Sequence, residues 1–210
     1  MGKQNKKSLE IILLIISAIL FILIWVNLNQ PWIYSFDLLI NLKVQNIQNN
    51  NLTFFMEKLS YIFEPINCII LLIIISIILW IKKFKKESIF LAFTGIVGGG
   101  LIYILKNIIM RIRPQNSIIS ETGFSFPSGH ATIGLILFGC LIYYSIKHLK
   151  SRSLKIISVS CSVIFILLIG FSRIYFRVHW FSDVIAGFLL GVFVICLILI
   201  LQRVMENYRK

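Results

Sequence analysis

Two histidines and the residues around them are where this chain of 210 residues could do chemistry. His179 and Asp183 stand four apart, a spacing that puts both on one face of a helix. A carboxylate on one imidazole nitrogen fixes the tautomer and leaves the other nitrogen a better nucleophile or base. His130 ends the tetrapeptide Pro127-Ser128-Gly129-His130, directly before an apolar run. Ser128 can cap the helix that follows, and Gly129 lets backbone N–H groups approach a ligand. A helix N-terminus with free N–H groups is an anion site. Lys106 and Arg113 flank a short step ending in Pro114, and Arg173 lies just upstream of His179. Arginine offers phosphate oxygens a two-pronged fork and lysine offers a point charge. Together these residues suit an anionic ligand held by cations, with a histidine beside it to attack or to move a proton. Taken singly, each has a plainer reading. The His–Asp pair can be a structural hydrogen bond, Ser-Gly a helix cap, and each cation a side chain snorkelling to a membrane surface.

A membrane enters because of what surrounds these residues. The chain is 58% hydrophobic and 14% charged, where a soluble domain carries about a quarter charged residues. Its apolar residues fall in six blocks, Ile11–Val26, Ile66–Ile81, Ile89–Leu105, Ala131–Ile146, Ile156–Phe171 and Val184–Leu201. Each approaches the length needed to cross the hydrocarbon core, and none shows the alternation of a barrel strand. This predicts an all-α fold, a six-helix transmembrane bundle forming one domain over residues 1–210. The first block is expected to be an uncleaved helix, since no small-x-small cleavage site follows it.

The net charge of +13 does not point to nucleic acid. Basic residues cluster at Lys3/Lys6/Lys7, Lys82/Lys83/Lys85/Lys86, Lys147/Lys150/Arg152/Lys155 and Arg203/Arg209/Lys210, at alternate ends of the six blocks. The positive-inside rule then puts both termini in the cytoplasm. Three segments face outside, 27–65, 106–129 and 172–183. The first carries Phe36, Leu39, Ile40, Val44 and Ile47, then Leu52, Phe55, Met56, Leu59 and Phe63, at helical spacings. That pattern predicts two extracytoplasmic amphipathic helices at the interface. Lys106, Arg111, Arg113, Arg173 and Arg177 all sit on the side where the rule disfavours them, which suggests an anion there. Gly95 and Gly99 form a small-xxx-small pair suited to close helix approach. The four cysteines lie inside apolar blocks and read as small hydrophobes.

The three segments, Lys106-x6-Arg113-Pro114, Pro127-Ser128-Gly129-His130 and Ser172-Arg173-x5-His179-x3-Asp183, resemble the three-part signature of the type 2 phosphatidic acid phosphatase superfamily in its bacterial membrane-embedded branch. Eleven residue types match in order and spacing, and the resemblance covers about residues 88–187. It implies a membrane lipid phosphatase that acts through a phosphohistidine. His179 would attack phosphorus, Asp183 would orient His179, and His130 would protonate the leaving group. Lys106, Arg113 and Arg173, with Ser128 and the Gly129 backbone, would hold the phosphoryl oxygens. Arg177 departs from the family's usual small residue, which puts the pocket mouth in question. Arg111 and Arg177 read equally as holders of a second phosphate or as snorkelling side chains.

No cofactor is expected, and no metal, because the outer catalytic segments contain only Glu121 and Asp183 as carboxylates. The expected partners are the bilayer and a lipid phosphate. Undecaprenyl diphosphate, phosphatidylglycerol phosphate and phosphatidic acid all stay open, as does the oligomeric state. Two other classes remain: a membrane serine hydrolase using Ser128, and a non-enzymatic anion- or lipid-binding protein.

Overall fold

The computed structural model describes residues 3–208, so Arg209 and Lys210 of the last basic cluster lie outside the described residues. Among the described residues there are eight helices and no strand: α1 Lys3–Val26, α2 Pro31–Gln45, α3 Asn50–Ile62, α4 Pro65–Ile81, α5 Lys85–Ile109, α6 Gly129–His148, α7 Arg152–Tyr175 and α8 Phe181–Tyr208. Each apolar block falls inside one helix. Local chemistry sets the starts. Pro31 and Pro65 open α2 and α4, where a missing N–H costs nothing. Asn49, Ser128 and Ser151 cap α3, α6 and α7 by accepting from a backbone N–H three residues on. Helix α5 runs past its apolar block until Met110 turns left-handed at φ 49°, so Lys106 rides in its last turn.

Five helices are long and apolar enough to cross a membrane: α1, α5, α6, α7 and α8. Helix α4 has only 17 residues, about 26 Å at 1.5 Å per residue. It is long and apolar enough only when taken together with α3, from which it bends by 44°. The belt of exposed side chains, such as Ile16 and Ile19 on α1, Ile73 and Ile77 on α4 and Ile164 and Leu167 on α7, is apolar. Such a surface is costly in water and neutral against acyl chains.

Helices α2 and α3 occupy the segment where two helices are expected, but α2 is turned the opposite way from a simple amphipathic helix on a protein. Phe36 and Leu39 are exposed, as is Ile47 beyond the helix end, whereas Asp37 and Asn41 are buried beside Ile33 and Val44. Helix α3 turns Met56 and Leu59 inward. The basic ends of the bundle lie together. Arg203 near the end of α8 pairs with Glu10 on α1 at 2.6 Å, and Lys147 at the end of α6 pairs with Glu87 at the start of α5 at 2.8 Å. The motif residues gather at the opposite end.

Close helix approach occurs at a different pair of glycines from the one the sequence suggests. Gly95 and Gly99 face Leu72 and Ile69 of α4 at ordinary contact distances, 3.4 and 3.9 Å from a notional Cβ. Gly187 and Gly191, also four apart, press α8 against α6. A Cβ at Gly187 would lie 2.8 Å from the Ser128 carbonyl oxygen and 2.9 Å from the Ala131 Cβ. Neither obstacle is a flexible side-chain end, so Gly187 fixes how near the His179–Asp183 turn comes to the start of α6. Gly187→Ala is therefore expected to cost about 1–3 kcal/mol. Gly100→Ala, with nothing within 4 Å, should gain up to about 1 kcal/mol of helix propensity. Thermal unfolding in detergent should show midpoint shifts of opposite sign.

Candidate active site

The site is assembled from the last turn of α5, the irregular stretch 110–128, the first turn of α6, and the α7–α8 turn. The irregular stretch is pinned, not loose: Ser125 donates to the Arg111 carbonyl through both N–H and Oγ, at 2.8 and 3.1 Å. The Trp180 indole donates to the Ile112 carbonyl at 2.9 Å. Ser128 N–H donates to the Asp183 carbonyl at 3.0 Å, tying the second motif to the third.

Asp183 is fully buried, and its two oxygens have separate tasks. Oδ1 accepts from Arg111 Nη1 at 2.5 Å. Oδ2 accepts from the Trp180 N–H at 2.9 Å and lies 3.4 Å from His179 Nδ1. The last distance is long for a hydrogen bond, and Nδ1 has no other partner; such contacts commonly tighten only around a bound ligand. The opposite ring nitrogen, Nε2, lies 3.2 Å from Arg113 Nη1. A guanidinium can only donate, so this contact requires a lone pair on Nε2 and places the ring proton on Nδ1, towards Asp183. Burial pushes the His179 pKa down to about 4; Asp183 pulls it upward but is outweighed, and Arg113 and Lys106 add to the lowering.

His130 is arranged in parallel. Its Nε2 lies 3.3 Å from Nη1 of Arg173, a fully buried arginine, so it too presents a lone pair. Arg173 also reaches the hydroxyls of Ser172 and Ser60. Lys106 Nζ donates to the Phe124 carbonyl, and Arg113 donates to the carbonyls of Val178, Gly123 and Thr122.

Lys106, Arg113, Gly129, His130 and His179 line one cavity of about 380 Å³, together with Glu121 and Glu64. Its remaining wall is apolar, from Ile66 and Ile69 on α4, Gly99 and Ile102 on α5, and Ile133 on α6. Ile66 is exposed, in step with the exposed Ile70 and Ile73 along α4, so this wall reaches the apolar surface. A larger cavity of about 720 Å³ lies across Arg111–Arg113 and contains neither histidine. Both histidines lie on the smaller one.

Arg173 and Asp183 stand behind the histidines, and Ser128 is buried outside the lining. Its Oγ faces the Ala131 N–H at 3.5 Å, as a helix cap, with no histidine bonded to it. Arg177 does not line the cavity either. Its backbone is left-handed at φ 56°, a conformation glycine adopts freely, which accounts for the small residue usual there. Arg111 neither snorkels nor faces the cavity. It bridges Asp183 and Asp37 Oδ2, the latter at 2.7 Å, and lies over the Trp180 ring.

Sequence reasoning missed Asp37, which also accepts from the Ser182 N–H and hydroxyl at 2.9 and 2.6 Å. The available signal was an aspartate recurring in step with Ile33, Asn41 and Val44. It missed Ser60 and the positions of the Glu121 carboxylate and the Thr122, Gly123 and Phe124 carbonyls, which no periodicity announces. Among the described residues, no three His, Cys, Asp or Glu side chains converge as a metal cage.

The sequence model of the PAP2 superfamily matches residues 87–205, more than half of the chain. The chain belongs to the PAP2 superfamily. Among relatives, phosphatidylglycerophosphatase B of Bacillus subtilis (strain 168) is 34% identical over 110 residues, 51% of this chain and 54% of that protein. An undecaprenyl-diphosphatase of Sulfolobus acidocaldarius is 28% identical over 151 residues, 68% of this chain and 65% of that protein. The chain thus spans about half to two thirds of the length of these relatives. The fold is shared with a transmembrane PAP2-type phosphatidylglycerolphosphate phosphatase from Bacillus subtilis, at a TM-score of 0.80, 24% identity, and coverage of 94% of this chain and 97% of that one. LpxE of Aquifex aeolicus aligns at a TM-score of 0.60 and 23% identity, over 79% of this chain and 93% of that one.

Two measurements test the geometry. Arg111→Met leaves two buried carboxylates without their cation, and breaking such a pair costs about 3–5 kcal/mol. Adding Asp37→Asn should recover part of that loss, so unfolding of the single and double variants should show non-additivity; additive losses would contradict the bridge. The His179 imidazole, followed by NMR in histidine-labelled protein, should stay neutral as pH falls from 7 and take up its proton at about 4. A midpoint at the ordinary value near 6.5 would contradict the buried, neutral assignment.

Proposed function

We propose that this chain is a membrane lipid phosphatase that hydrolyses a phosphate monoester or diphosphate through a phosphohistidine on His179. The observation that carries the reading is the pair of histidines on one cavity, each with a lone pair at Nε2 held by its own arginine, next to an apolar wall. His179 Nε2 attacks phosphorus as the bond to the leaving oxygen breaks. Asp183 stabilises the proton on Nδ1 as the ring gains positive charge.

Lys106, Arg113, Arg173 and the Gly129 N–H at the start of α6 hold the phosphoryl oxygens, the Ser128 N–H being taken by the Asp183 carbonyl, and electrostatic stabilisation of this kind is usually the largest catalytic term. When the phosphoryl group draws Arg173 away, His130 Nε2 is freed, takes a proton from solvent beside the substrate's negative charge, and passes it to the leaving oxygen. Neutral again, His130 accepts a proton from the water that cleaves the phosphohistidine. No step calls for a metal ion.

The family relatives support a lipid substrate, and the apolar wall beside the phosphate site supports the same. Phosphatidylglycerol phosphate, undecaprenyl diphosphate and phosphatidic acid are the candidates. The clustering of lysine-rich loops at the end opposite the site supports cytoplasmic termini and an extracytoplasmic active site. A serine hydrolase gains no support from the buried, helix-capping Ser128.

The roles are separable with labelled substrate, in EDTA, by rapid quenching of the phosphoenzyme. Wild-type protein should accumulate an acid-labile phosphohistidine, and His179→Ala should form none. His130→Ala should lose about 10²–10⁴-fold on lipids, yet still trap phosphoenzyme from a nitrophenyl phosphate, whose leaving group needs no proton. Phosphoenzyme in His179→Ala, or none in wild-type protein without a divalent ion, would overturn the mechanism.

A further inference from the structure

Two carboxylates on the cavity, Glu64 and Glu121, have no part in the mechanism above, and Glu121 is the one that meets its cations. Glu121 places its two carboxylate oxygens on two different arginines: Oε1 lies 3.2 Å from Arg173 Nη1, and Oε2 lies 3.5 Å from Arg113 Nη2. These are the arginines that hold His130 and His179. The carboxylate therefore spans the two guanidiniums much as a phosphoryl group would, one oxygen on each.

The peptide around it is held independently. The Thr122, Gly123 and Phe124 carbonyls accept from Arg113 and Lys106. The side chain can leave without the segment moving, and at 26% exposure it has solvent to move into. Three cations in a half-buried cavity also need a counter-charge, because like charges repel strongly where water is scarce.

We propose that Glu121 is the resident counter-ion of the phosphate subsite, occupying Arg113 and Arg173 in the empty protein, displaced by the incoming phosphoryl group, and returning as inorganic phosphate departs. This rests on the phosphate-site reading above. Substrate binding is then an exchange of one anion for another, not an addition to bare cations. The exchange weakens the grip on every phosphate oxyanion and speeds release of the product. Glu121 thus sets how strongly product inhibits, and it places the cost on KM.

The test uses the full chain in detergent or nanodiscs, with orthovanadate and inorganic phosphate as probes. Binding is read by thermal shift, and phosphate is also read as a product inhibitor. Glu121→Gln keeps the shape and removes the charge. It should bind vanadate and phosphate roughly five- to tenfold more tightly, the order of one partly exposed charge pair. KM for the lipid should fall, with no rise in kcat. Glu121→Asp, too short to reach both arginines, should move the same way by less, and it serves if the glutamine variant does not fold. Unchanged or weaker oxyanion binding in both variants, with wild-type binding intact, would overturn the counter-ion role. Absence of any vanadate or phosphate binding to wild-type protein would instead overturn the phosphate-site reading itself.

Discussion

Most of the site hangs on one guanidinium. Arg111 stands between Asp37 on α2 and Asp183 on α8, two carboxylates that water does not reach. Without it they would repel each other at the cost of burying bare charge. With it, one Asp183 oxygen is fixed, the other is turned towards the Trp180 N–H and His179, and the first turn of α8 is tied to a helix far away in sequence. The orientation of His179 is thus inherited from a contact that never meets the cavity.

The cations on the cavity are treated differently. Lys106 and Arg113 are met mainly by backbone carbonyls, from Phe124, Gly123, Thr122 and Val178. Carbonyl dipoles solvate a cation without neutralising it, and because the dipoles are fixed they hold both cations in place while one anion is exchanged for another. This is why an irregular stretch, 110–128, is pinned so firmly at both ends. Its carbonyls are spent on side chains, since no helix ladder or strand partner takes them.

Much of this could be read from the chain itself. A bilayer span has to be uniformly apolar, so the six blocks announced their helices. His179 and Asp183 were legible because their relation is local, set by a helical repeat. What escaped was set by distant partners. The inward face of α2 carries Asp37 and Asn41, and Arg111 and Ser182, supplied by other segments, make it the inward face. Gly95/Gly99 and Gly187/Gly191 have the same spacing; the second pair is tight because a backbone carbonyl and Ala131 stand opposite, which one helix cannot disclose. Arg177 looked anomalous by type, and the left-handed backbone beneath it explains the position in conformational terms.

The apolar wall between α4 and α5 ends at Ile66, from which the exposed Ile70 and Ile73 continue along one face of α4. A ligand that follows this wall arrives by lateral diffusion within a two-dimensional solvent. Its encounter frequency is then governed by mole fraction in the leaflet, and inert lipid added at constant bulk concentration dilutes it as surely as water dilutes a soluble substrate.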